Sequence, residues 1–154
     1  MRTILLSFEP DWFSKLEEGK VKFEYRKNLP DESVKVYFYV SSPVKAISGI
    51  AIFGQRENLI DWKKKYQSRG PEVVSRIDDY LTDCRYVVPI TQFQKTSSIP
   101  LSTIRNDIKN FVVPRMYYYI EGSELEQYLE KNLTEKDASI IHDFTTIGND
   151  DICK

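Results

Sequence analysis

Between Lys20 and Lys27 apolar and charged side chains alternate without a break. Val21, Phe23 and Tyr25 fall on one side; Lys20, Lys22, Glu24 and Arg26 fall on the other. A period of two is the signature of a half-buried strand, because successive side chains leave a strand on opposite faces. An amphipathic helix is excluded here, since its apolar residues recur three and four apart. Gly19 stops whatever precedes this strand, and Asn28 to Ser33, with Pro30, turn the chain after it.

Other strands read from neighbouring runs. Residues 3–8 are apolar and β-compatible. Val34 to Val40 is β-branched and aromatic, with Lys35 as its one charge, and predicts a central strand. Val44 to Phe53 follows, with Gly49 inside it predicting a bulge or a close backbone approach. Tyr86 to Phe93 holds Pro89, which predicts an edge or a bulge. Met116 to Ile120 is an aromatic strand.

Helical spacing appears in other places. Pro10 and Asp11 suit a helix start, and Trp12, Phe13 and Leu16 share one face up to about residue 18. Leu59 to Tyr66 and Glu72 to Leu81 read as two helices broken at Gly70-Pro71. Residues 101–109 predict a short helix. Ser123 and Glu126 form a capping box ahead of a stripe of Leu125, Tyr128, Leu129 and Leu133. Five or six strands with a few inserted helices predict an α+β fold around a mostly antiparallel sheet, open or closed. One domain is expected over 1–133, followed by a polar, loosely held C-terminal tail over 134–154.

Charge and composition remove several classes of function. The formal net charge is −1, with 22 Lys/Arg against 23 Asp/Glu, so bulk charge does not drive binding to nucleic acid or an anionic membrane. The charge is polarised: residues 1–70 hold 13 basic and 9 acidic side chains, residues 71–154 hold 9 and 14. Cys84 and Cys153 lie far apart and His142 stands alone, which excludes two-Cys, two-His zinc and HExxH chemistry. No P-loop, GxGxxG or GxSxG occurs, and no metal or cofactor is expected. The cysteine usage predicts a reduced, cytoplasmic protein with no membrane partner.

The polar side of the alternating strand is the densest candidate site. Residues two apart on a strand face lie about 7 Å apart. Arg26 can fork onto a phosphate or stack on a base, and Glu24 can accept from an exocyclic amine. Lys22 can supply a phosphate contact. The same pattern equally suits a plain solvent face whose ion pairs contribute under about 1 kcal/mol. Ser41-Ser42-Pro43 is either an anion-holding turn or an ordinary one. Tyr117, Tyr118 and Tyr119 run consecutively, so at least one faces away from the core. Lys63 to Lys65 with Arg69 make a basic helix face.

Several of these segments, in order, resemble the ASCH domain, a PUA-like family (activating-signal-cointegrator homology). They are Ile4 to Pro10, Gly19 to Arg26, Tyr39 to Lys45 followed by Gly49, and Val113 to Tyr118. The resemblance spans about residues 2–120. It implies a small β-barrel flanked by helices, with a cleft near the first helix. It also implies nucleic-acid ligands, often in translation or transcription regulation. The matching strand positions at the cleft are Glu24 and Arg26, and the turn matches at Ser41, Ser42 and Pro43.

On this basis the expected function is an RNA-binding or modified-nucleoside-binding module. DNA is a further partner it could take. The expected ligand contacts are Lys20, Lys22, Glu24, Arg26, Ser41, Ser42 and Lys45. The alternative is an amidohydrolase, since some relatives remove the acetyl group from acetylated cytidine. They use a lysine two residues and a threonine five residues after the glycine. Val21 and Glu24 stand there, with Lys20 and Lys22 flanking the first position.

Overall fold

The computed structural model describes residues 1–154. Its strands are β1 (Arg2–Phe8), β2 (Phe23–Arg26), β3 (Val34–Val40), β4 (Ala46–Phe53), β5 (Glu57–Asn58), β6 (Tyr86–Pro100), β7 (Tyr117–Tyr119) and β8 (Ile140–Ile141). The helices are α1 (Pro10–Glu17), α2 (Leu59–Lys65), α3 (Pro71–Leu81), α4 (Leu101–Asp107) and α5 (Glu124–Asn132). The strands form one curled sheet in the order β2-β6-β4-β3-β1-β7, with β5 and β8 paired to β6. Every pairing is antiparallel except β1 with β3. The α+β class is therefore as predicted. The curl stops short of closure, because β2 and β7, at the two ends of the order, do not pair with each other.

Strand alternation divides the core in three. Ile4, Leu6 and Phe8 of β1 and Val34, Val36, Phe38 and Val40 of β3 point into the curl, where α1 adds Phe13 and Leu16. Leu5, Tyr37 and Tyr39 point outward against Ile104 of α4 and Leu125 and Leu129 of α5. Both faces of β3 are thus buried, which is why its sequence is a nearly unbroken apolar run. A third cluster joins Phe23 and Tyr25 of β2 to Leu59 and Trp62 of α2 and Val73 and Ile77 of α3.

Gly49 has φ +84° at a register shift in β4. A Cβ there would lie 3.0 Å from both Phe13 and Phe93. The predicted bulge and the predicted close approach occur at one residue. The displaced Gly49 N–H donates to Thr96 Oγ1 at 2.8 Å. At α5, Ser123 Oγ accepts from the Glu126 N–H at 3.1 Å, while the Glu126 carboxylate accepts from the Gly122 N–H at 2.9 Å.

Two sequence expectations are corrected. β6 runs to Pro100 instead of stopping near Phe93. Its polar half is held by the segment beyond α5: Gln94 Nε2 donates to the carbonyls of Lys136 and Asp137 at 2.9 and 3.1 Å. That segment is not loosely held. Its β8 residues pair with β6, and Ile152 and Cys153 are buried in the third cluster, with Phe144 and Ile147 packed against it. Apolar residues too few to give a periodic signal anchor an otherwise polar stretch.

Candidate functional site

The site is built on β2, and its placement begins on the outward face of that strand. Phe23 and Tyr25 meet Trp62 edge-on, with ring centroids 4.9 and 5.8 Å away, and Tyr25 meets Tyr80 at 4.8 Å. The Tyr25 hydroxyl accepts from the Cys153 N–H at 2.8 Å. Burial raises the Tyr25 hydroxyl pKa and pushes the Cys153 thiol up to about 12, so both stay neutral. With Phe23 and Tyr25 fixed outward, Glu24 and Arg26 are turned into the curl.

Glu24 is buried, at 4% exposure. One carboxylate oxygen accepts from the Tyr25 N–H at 3.1 Å; the other accepts from Arg26 Nε, also at 3.1 Å. Burial raises the Glu24 pKa, while the Arg26 charge and the two donated hydrogen bonds act against it. Arg26 Nη2 donates to the Ser7 carbonyl at 2.7 Å, and its guanidinium carbon lies 5.5 Å from the Phe8 ring centroid. The arginine therefore spans from β2 to the end of β1.

Around this pair lies a cavity of about 360 Å³. Ser7 and Phe8 of β1, Glu9 and Trp12 at the start of α1, Ser41 after β3, and Arg115 before β7 complete its lining. Hydrogen bonds tie β1 to two of these segments. The Ser41 N–H donates to the Phe8 carbonyl at 2.9 Å, and the Ser7 N–H donates to the Met116 carbonyl at 2.9 Å. Ser7 Oγ donates to the Pro114 carbonyl at 2.8 Å, tying the Arg115 segment to β1. Arg115 is exposed and makes no ion pair. The lining combines a buried carboxylate paired with a half-buried guanidinium, an exposed arginine on the rim without an ion pair, and two aromatic rings. That arrangement can hold a flat polar ring and an attached anion.

Of the residues singled out in the sequence, Glu24, Arg26 and Ser41 converge on the cavity. Lys20, Lys22, Ser42 and Lys45 do not line it. Lys20 pairs with Glu18 at 2.7 Å on the surface. Lys22 precedes the regular part of β2, so alternation does not govern it. Its Nζ donates to the Asp143 carbonyl at 3.0 Å and lies 3.8 Å from Asp151. Ser42 and Lys45 are exposed on the β3–β4 turn. Sequence reasoning did not single out Ser7, Phe8, Glu9, Trp12 or Arg115 as site residues. All but Trp12 lie in segments that carry the family resemblance, and that was the available signal. His142 is half-buried outside the cavity, its pKa lowered by burial and by the Lys22 charge. No three His, Cys, Asp or Glu side chains converge as a cation site, and no helix is long and apolar enough to cross a membrane.

A curled mixed sheet with α1 packed into the curl, the other helices outside it and a cleft at its open seam is an α+β fold of the ASCH-domain type. Solved structures of an ASCH protein from Zymomonas mobilis share it. One covers 84% of this chain and 95% of its own, with a TM-score of 0.64 and 19% identity. A serine-to-alanine mutant of that protein gives 0.61 and 18%, with the same coverage. A tyrosine-to-phenylalanine mutant gives 0.62 and 17%, covering 85% of this chain and 99% of its own. No family model matches the chain, and no curated protein matches it in sequence.

Proposed function

We propose that this cavity binds a nucleobase carrying an exocyclic amine, as part of RNA or as a modified nucleoside. The observation that carries the reading is the Glu24–Arg26 pair, its carboxylate buried and its guanidinium half-buried, facing an open, aromatic-walled cavity. Such a pair is costly to desolvate and is weak as a stabilising device. A polar pair that lines a cavity is better explained by what it recognises. Each Glu24 oxygen keeps a second lone pair for an amine donor. Trp12 and Phe8 offer rings, and Arg115 offers an unpaired cation for a phosphate on the rim. The near-zero net charge fits a ligand held by few phosphates and a shallow salt dependence.

Calorimetric titration with cytidine 5′-monophosphate and uridine 5′-monophosphate tests this. Tighter binding of the cytidine compound is expected, with the preference erased in Glu24→Gln. Equal binding of both by the unaltered protein would remove the base-reading role of Glu24. The amidohydrolase alternative finds no lysine among the cavity residues. Release of acetate from acetylcytidine, lost in Glu24→Gln, would reinstate it.

A further inference from the structure

The cavity is one end of a longer feature. Where β2 and β7 fail to pair, the seam carries a row of arginines and tyrosines that the cavity does not use. Tyr86 sits directly across from Arg26 in the β2–β6 register, so the two share a face of the sheet. Tyr117 and Tyr119 lie opposite Leu6 and Ile4 of β1, whose side chains enter the curl. These tyrosines are half-buried and pack against the inner core. Tyr117 meets Tyr119 edge-on at 6.0 Å.

Two of the rings back an arginine. The Arg56 guanidinium carbon lies 3.8 Å from the Tyr86 ring centroid, and the Arg2 guanidinium carbon lies 3.4 Å from that of Tyr119. Arg56 is also fixed by donation to the Leu29 carbonyl at 2.9 Å. Its positive charge reaches Tyr117, where it acts against the upward push that burial gives that hydroxyl. Tyr117 extends the row, since it shares the inner face with Tyr119, meets it edge-on, and follows Arg115 and Met116 directly along the chain from the cavity rim.

The acids that pair with these arginines are on the surface. Asp31 lies 3.5 Å from Arg56 with its side chain 68% exposed, and Glu121 lies 2.6 Å from Arg2 with its side chain 35% exposed. Pairs of that kind hold weakly, so a phosphate can take the place of the carboxylate. A guanidinium fixed over a ring presents its other side to a stacking base and its edge to a phosphate. Alternating cations and rings along a groove are what single-stranded nucleic acid requires.

We infer that the seam lined by Arg56, Tyr86, Tyr117, Tyr119 and Arg2 takes the nucleotides flanking the one in the cavity. The ligand is then a single-stranded oligonucleotide and not a free nucleoside. This rests on the nucleobase reading of the cavity and extends it.

The test compares cytidine 5′-monophosphate with a five-nucleotide RNA of mixed sequence, by calorimetry and fluorescence anisotropy. The oligonucleotide should bind at least about tenfold tighter than the mononucleotide, as expected for one or two added stacking contacts. The double variant Arg2→Ala, Arg56→Ala should lose about tenfold or more of that affinity, with mononucleotide binding within about twofold of the parent. The double variant Arg2→Lys, Arg56→Lys keeps the charges and loses the planes; it should recover only part of the loss and guards against a folding defect in the double alanine variant. Equal affinity for the two ligands, or an oligonucleotide indifferent to the double variant, overturns the seam and leaves the cavity standing. Oligonucleotide binding lost in the double variant but unaffected by Trp12→Ala and Glu24→Gln supports the seam and overturns the cavity reading. No binding of either ligand overturns both.

Discussion

The two faces of β2 are built from opposite materials. Outward, Phe23 and Tyr25 are sealed by Trp62 and Tyr80 in a dense set of edge-on ring contacts. Inward, Glu24 and Arg26 hold charge at the edge of an open cavity. A four-residue strand has little to fix it beyond its pairing with β6. The aromatic face supplies the missing rigidity, and the polar face inherits a geometry it could not impose on itself. The packed face and the cavity face are thus separated by one peptide unit.

That contrast can be broken from the apolar side first. Trp62→Ala should produce the largest loss of stability, about 3–5 kcal/mol in urea denaturation, because it empties the centre of the third cluster. Arg26→Ala should cost about 2–4 kcal/mol, since it leaves the Glu24 carboxylate buried without its cation. Additive costs of Arg26→Ala and Glu24→Gln in the double variant would show that the pair is not coupled. Tyr25→Phe should cost about 1 kcal/mol through the orphaned Cys153 N–H, a change measurable by the same denaturation. Arg115→Ala should change stability by less than about 0.5 kcal/mol while weakening any phosphate-bearing ligand.

The polar face also sets a pH dependence. Burial raises the folded-state pKa of Glu24 above its unfolded value. The folded protein therefore binds that proton more tightly than the unfolded chain does. The contribution of Glu24 to stability is greatest below the ordinary carboxylate pKa and is lost as pH rises through the raised value. Denaturation of the parent and Glu24→Gln across acid to neutral pH should show the parent losing ground to the variant as pH rises. Parallel curves would mean that Arg26 and the Tyr25 N–H fully offset the burial.

Much of this was legible in the chain. Strict alternation from Lys20 to Lys27 identified β2 and divided its faces correctly at Phe23, Glu24, Tyr25 and Arg26. It failed at Lys22, which lies just outside the regular strand and is drawn to Asp143 and Asp151. Those partners are more than a hundred residues away, and local pattern carries no trace of them. The polar half of β6 was missed for the same reason, since Gln94 is satisfied by carbonyls of a distant segment. Ile152 and Cys153 show the limit from the other side: two apolar residues have no periodicity, yet they complete a core. Arg115 is a surface arginine by any sequence criterion, and its place on the cavity rim is visible once Ser7 ties its segment to β1.

The stitch from Arg26 to the Ser7 carbonyl has a mechanical meaning. Elsewhere the curl is held by rows of backbone hydrogen bonds that act together. Between β2 and the end of β1 it is held by one side chain. A ligand that competed for the Arg26 guanidinium would therefore unlatch the mouth as it entered. The aperture could then widen without disturbing any ladder of the sheet, so occupancy and compliance at this site would be governed by the same side chain.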